Sequence, residues 1–262
     1  HCLGTGIRDS LNARTIDKPL RCFDMFKNTN QRMNGFINQF FFGYIDANAN
    51  MLPSQFDNSE VKSFRQIFDY QTASVKEFIE VYEGSILDFD VSQLQPDQFE
   101  IVNVDVGKSF ELNEFIIRSF FPGVITDGYV FQQDIGIPDH WYLLFTMHLL
   151  RDHFALDFVK RPSGWVYRCT KPISHDSVNT CIEVMSNVTP AETIEHYYEC
   201  RSVLPEDLHT TANLCFCFCY LEKFGMQLDR PLPEVLQTFN VDPERDHFAS
   251  IERLCKRLGI NS

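Results

Sequence analysis

Short apolar runs bounded by turn residues, helical patterns between them and a glycine turn at a strand end predict an α/β doubly wound fold. The expected architecture is a mostly parallel, seven-stranded sheet with an antiparallel edge hairpin over residues 1–172. A C-terminal helical annex over 173–262 is expected to pack on it. Runs of this length, separated by helical stretches, mark βαβ units whose strands are covered on both faces.

Taken in order, His1–Leu3 reads as the end of a first strand, Leu20–Phe23 as a second, Phe78–Tyr82 as a third, Ile101–Val106 as a fourth and Tyr129–Gln132 as a fifth. Between the last two, Phe110, Asn113, Ile117 and Phe121 fall on one side of a helix, and Leu112, Phe115, Ile116 and Phe120 widen its apolar stripe, as a crossover helix requires. Pro122-Gly123 and Asp127-Gly128 supply the turn that feeds the fifth strand. A helix is expected over His140–Asp152. Leu156–Val159, the turn Arg161-Pro162-Ser163-Gly164 and Trp165–Cys169 then read as the edge hairpin. From Ser174 onward the pattern is helical, at Ala191–Val203, Glu206–Phe224 and Pro243–Leu258 with Leu232–Phe239 between them.

Composition narrows the partners. With 262 residues the chain is long enough to bury a full core, and its net charge of −13 argues against nucleic acid, which calls for a basic stripe. A small-molecule acceptor is expected instead. No apolar run is long enough for a spanning helix and no signal peptide opens the chain, so no membrane is expected and the location reads as cytoplasmic. The nine cysteines contain no CxxC pair and read as reduced thiols, those of LCFCFCY (Cys215, Cys217 and Cys219) as core residues. Asn187-Val188-Thr189 matches a glycosylation sequon, without weight in a cytosolic chain. Because the chain opens on His1 inside a motif, it is expected to be a piece of a longer protein with other domains.

Leu3-Gly4-Thr5-Gly6 follows a strand end and precedes a helical pattern, a setting in which glycine lets the backbone approach a ligand at a helix N-terminus. About 20 residues later Asp24 ends the second strand, where an acid can bind a ribose diol. Its structural alternative is an N-cap.

These features, with CLGTGIRDS at 2–10, CFDMF at 22–26, YEGSILD at 82–88, NVDVGKSFELN at 103–113 and FFPGVITDGYVFQQD at 120–134, resemble class I S-adenosylmethionine-dependent methyltransferases. The likeness is to their macrocin O-methyltransferase-like bacterial branch and runs over about 170 residues in the order of a Rossmann-like domain. It implies cofactor-binding roles for Gly4, Thr5, Gly6 and Ser10 around the methionine moiety, for Asp24 at the ribose and for Gly84 and Ser85 beside adenine. Cys2, Arg8 and Asp9 depart from the family's pattern, which has an acid before the first glycine and small residues after the loop.

Metal-dependent members of that family hold Mg²⁺ on carboxylate pairs at the ends of the fourth and fifth strands, hard oxygen ligands suited to that ion. Here the pairs read Asn103-x-Asp105 and Gln133-Asp134, so Asp105 and Asp134 are the candidate metal ligands and acceptor-side residues. Their alternative role is hydrogen bonding to loop amides. His140 is the candidate general base, six residues past Asp134 at a helix start; Trp141 and Tyr142 are candidates to line an acceptor pocket. His148 and His153 are expected to be structural. The function implied is methyl transfer from S-adenosylmethionine to a hydroxyl of a sugar or other small metabolite. A second reading is a catalytically degenerate domain that serves as a binding or scaffolding module, which the altered loop and the lost acids favour. An NAD-dependent oxidoreductase is a weaker third, because the GxGxxG spacing is missing.

Overall fold

The structure is a computed structural model that describes residues 20–24, 69, 76, 79–91, 98–105, 107–160, 164–225, 231–243 and 249–260. The chain divides into two compact units, His1–Asp90 and Val91–Ser262. In the first unit, strands β1 (Leu20–Asp24) and β2 (Ile79–Glu83) pair in parallel, with Asp24 opposite Glu83. Arg21 Nε meets Glu80 Oε2 at 3.0 Å across the pair. Beyond β2, Ser85 caps a short 3-10 turn, Ile86–Asp88, and Phe89 sets its ring edge-on to Tyr82 at 4.8 Å.

The second unit holds a four-stranded sheet in the order β3-β4-β6-β5. Strand β3 (Phe99–Val104) passes through helix α1 (Phe110–Ser119) to the parallel strand β4 (Val124–Gln132). Helix α2 (Trp141–Leu149) then leads to the hairpin β5 (Phe154–Lys160) and β6 (Gly164–Cys169), and β6 lies antiparallel to β4.

The seven-stranded, mostly parallel sheet expected from the sequence is therefore corrected. The described strands form a separate pair and a four-stranded mixed sheet in which only the β3 and β4 pairing is parallel. The physical reason is that an apolar run specifies a strand but not its neighbours. β6 takes its place beside β4 through the Tyr129 to Arg168 register, and the hairpin supplies two of the three ladders instead of one edge strand. The expected first strand, His1–Leu3, lies outside the described residues.

Strand β4 also starts earlier than its sequence suggests. The Asp127-Gly128 pair sits inside it rather than before it, with Asp127 at φ 65° and the β3 register shifting between Phe99 and Ile101. A Cβ on Gly128 would stand 2.9 Å from the Ile125 carbonyl oxygen and 3.0 Å from that of Phe99, so this irregularity requires glycine.

Helices α3 (His175–Asn187), α4 (Pro190–Val203), α5 (His209–Phe224), α6 (Leu232–Thr238) and α7 (Ala249–Leu258) complete the unit. Their starts are written locally. Ser109 and Ser174 cap α1 and α3 by accepting from Leu112 N and Ser177 N, and Thr189 with Glu192 forms a capping box on α4. Such caps contribute about 1 kcal/mol each.

Residues 141–148 of α2 and 212–221 of α5 are buried on every side, which marks them as the centre of the unit. Phe121, Phe145, Trp165, Tyr197, Phe216 and Phe239 fill the space between the layers. Each large apolar side chain contributes roughly 1.5–3 kcal/mol by leaving water. Cys215, Cys217 and Cys219 lie in this core, as expected. Among the described residues no helix is long and apolar enough to cross a membrane.

Candidate functional site

The carboxyl ends of β3 and β4 lie side by side. Gln133 N donates to the Val104 carbonyl at 2.9 Å, and Gln133 Nε2 donates to Asn103 Oδ1 at 3.3 Å. Asp105 directly follows β3 and Asp134 stands two residues past β4, so both lie beyond neighbouring parallel strand ends, the edge where open α/β sheets bind ligands. Asp105 is exposed. Asp134 is partly buried, takes the left-handed φ of 61°, and has Lys108 Nζ at 3.6 Å from its Oδ2.

After Asp134 the chain turns through the 3-10 segment Pro138–His140 into α2. The turn brings His140 back toward Asp134. Burial pushes the imidazole below its ordinary range, the Asp134 and Asp139 carboxylates pull it up, and Lys108 lowers it again. The result is a ring that stays neutral at pH 7, the state a proton acceptor needs. Its Nδ1 is buried with no hydrogen-bond partner.

Tyr142 stands one residue beyond Trp141 with its ring centroid 6.1 Å from that of His140. Its hydroxyl is also buried and unpartnered, and burial together with Glu222, Asp139 and Asp134 holds it well above the usual phenol range. The hydroxyl therefore stays protonated and can donate. Trp141 is fixed differently, by donating from Nε1 to Glu222 Oε2 at 2.7 Å, and Glu222 in turn pairs with Arg257 at 3.1 Å. Arg253 of α7 lies 3.8 Å from Asp139. Helices α5 and α7 thus pin the start of α2 from outside.

Asp134, Lys108, His140 and Tyr142 therefore share one electrostatic environment at this sheet edge. Of the cofactor-side residues, Asp24 ends β1 beside Glu83, and Gly84 and Ser85 follow β2 directly, again at adjacent parallel strand ends. Gly84 takes φ 146°, and among the described residues nothing lies within 4 Å of where a Cβ would project. Ser85 Oγ accepts from Leu87 N at 3.3 Å. Gly4, Thr5, Gly6 and Ser10 lie outside the described residues.

Sequence reasoning missed Glu222, whose link to Trp141 spans 81 residues, and no local pattern announces it. It also missed His196 and Glu199, which stand near His148. His196-x-x-Glu199 on a helix is a spacing that puts both side chains on one face, and that signal was available. No family model matches the sequence, and neither a curated protein nor a solved structure matches it.

Proposed function

We propose that the chain is an S-adenosylmethionine-dependent methyltransferase acting on a hydroxyl of a sugar or other small metabolite. The observation that carries this reading is the pair of buried polar atoms without partners, His140 Nδ1 and Tyr142 Oη, beside Asp134 at the carboxyl edge of a parallel strand pair. Buried polar groups are satisfied in the great majority of proteins, so two orphans in one place point to a polar ligand.

S-adenosylmethionine would supply an activated methyl group. Within the first unit, Asp24 and the Gly84-Ser85 pair stand at adjacent parallel strand ends. The rest falls to this chain's own side chains. Neutral His140 accepts the proton that the acceptor hydroxyl loses, the Tyr142 hydroxyl donates a hydrogen bond that orients the acceptor, and Asp134 stabilises the imidazolium that forms. Asp105 lines the same edge. The reading takes no Mg²⁺, because Gln133 and Asn103 hydrogen-bond to each other where ligand carboxylates are needed, and Lys108 already supplies Asp134 with a positive charge.

That amide pair also favours the second reading, a degenerate domain that binds without catalysis. Calorimetric titration with S-adenosylmethionine and S-adenosylhomocysteine separates the two. Micromolar binding of both is expected. No heat of binding at millimolar cofactor would overturn the enzyme and leave the binding module.

A further inference from the structure

His148 on the last turn of α2, and His196 and Glu199 one turn apart on α4, each offer a ligand atom, all within 4.8 Å of one another. We propose that these three side chains form a site for a first-row divalent transition metal of the Zn²⁺ class, which enters by displacing the Arg151 guanidinium. The site is separate from the acid edge and independent of the methyltransferase reading.

The geometry is close to what such an ion needs. Glu199 Oε2 is 3.7 Å from His148 Nε2 and 4.0 Å from His196 Nδ1. Ligands at about 2.0–2.1 Å around a tetrahedral ion stand roughly 3.4 Å apart, so the carboxylate must move by a few tenths of an ångström and the two imidazole nitrogens, within 4.8 Å of each other, must close to the same spacing. Glu199 is 44% exposed and has the freedom to do so. The donor set also selects the ion: two imidazoles and one carboxylate suit zinc, nickel, copper or iron, whereas magnesium and calcium call for oxygen alone. Three protein ligands leave a fourth position for water.

Two further observations point to a ligand. The Nδ1 atom of His196 is buried without a hydrogen-bond partner. That orphan is the very atom that faces Glu199, and a metal ion would satisfy it. The second is that the cluster already recognises a cation. Arg151 directs NH1 at His148 Nε2 at 3.2 Å and NH2 at Glu199 Oε2 at 3.0 Å. Arg151 also donates from NH1 to the His148 carbonyl at 3.1 Å, but it lies in the turn after α2 and is 43% exposed, so it has a path into water where its donors are satisfied again. Burial disfavours the protonated form of both rings, so the His148 Nε2 lone pair becomes available for coordination once Arg151 withdraws.

The test uses the full chain, stripped with a chelator and titrated with Zn²⁺ by calorimetry and with Co²⁺ by visible absorption. One saturable site per chain with micromolar affinity is expected, with a Co²⁺ spectrum of nitrogen and oxygen ligation. His196→Asn and Glu199→Gln, both at partly exposed positions and so compatible with folding, should each weaken Zn²⁺ at least about tenfold. Arg151→Met should tighten it several-fold. Absence of saturable binding at millimolar Zn²⁺, unchanged affinity in His196→Asn and Glu199→Gln, or thiolate charge-transfer bands with Co²⁺ would each overturn the site. Weaker binding in Arg151→Met would overturn the exchange.

Discussion

Asp134 combines a left-handed backbone with a carboxylate that His140 feels, and two substitutions separate these properties. Asp134→Asn removes the charge but keeps a side chain that tolerates φ of 61°. Its cost is the ion pair to Lys108, which at 3.6 Å and with Lys108 55% exposed is a solvent-screened contact. Such pairs contribute about 0–1 kcal/mol. Asp134→Ala loses the same pair and adds the left-handed penalty of roughly 1–2 kcal/mol. For a chain of this size 1 kcal/mol shifts Tm by about 2–4 °C, so Ala should melt about 2–8 °C below Asn.

Asp134→Asn also withdraws a charge that raises the His140 pKa, so the imidazole should titrate at lower pH than in the parent chain. Thermal denaturation of both variants and an NMR titration of the His140 ring measure the two effects. Equal melting of Asn and Ala would refute the backbone argument. A His140 titration unmoved by Asp134→Asn would remove Asp134 from the imidazole's environment and with it the acid-base pairing proposed at this edge.

Acid should destabilise the fold through His148, which burial first and then Arg151 push down to about 3. Its contribution is fully present above the unfolded value of about 6.5 and is lost as pH falls below it, because the unfolded chain then takes up a proton that the folded chain refuses. At pH 4 this amounts to about 3 kcal/mol. Tm of the parent chain should therefore fall between pH 7 and 4 more steeply than that of His148→Asn, and parallel curves would contradict it. Thiol labelling tests the core: the seven cysteines from Cys169 to Cys255 are buried, so no more than the other two of the nine should react in the native state at pH 8, and all nine after denaturation. Rapid native labelling of a third thiol would show that the α5 core opens.

What the sequence made legible is what neighbours in the chain decide. Helices were expected over Phe110–Phe121 and Ala191–Val203, and both form; the His175–Asn187 helix was not among those expected, although Ser174 caps it within three residues. The Leu20–Phe23 run became β1 and Trp165–Cys169 became most of β6, since a strand's existence depends on its own apolar content. The sheet order did not follow, because pairing Tyr129 with Arg168 is a choice among edges that periodicity cannot make. Asp127-Gly128 misled for a related reason: the dipeptide reads as a turn, yet Gly128 is needed where β3 carbonyls crowd the backbone inside a strand.

The same division runs through the two candidate sites. Asp134 and His140 are six residues apart and joined by one tight turn, so their shared environment was visible as spacing. The partners that give them and their neighbours a defined chemistry come from far along the chain: Glu222 reaches Trp141 across 81 residues, and Glu199 reaches Arg151 across 48. His148 shows the consequence. On α2 alone it is one more buried residue in an all-buried helix, and a structural role is the sound expectation. Only when α4 brings His196 and Glu199 to its ring does the residue acquire a donor set. A ligand site assembled from different helices is thus a property of the packing, and the sequence discloses it only through the His-x-x-Glu spacing on one of them.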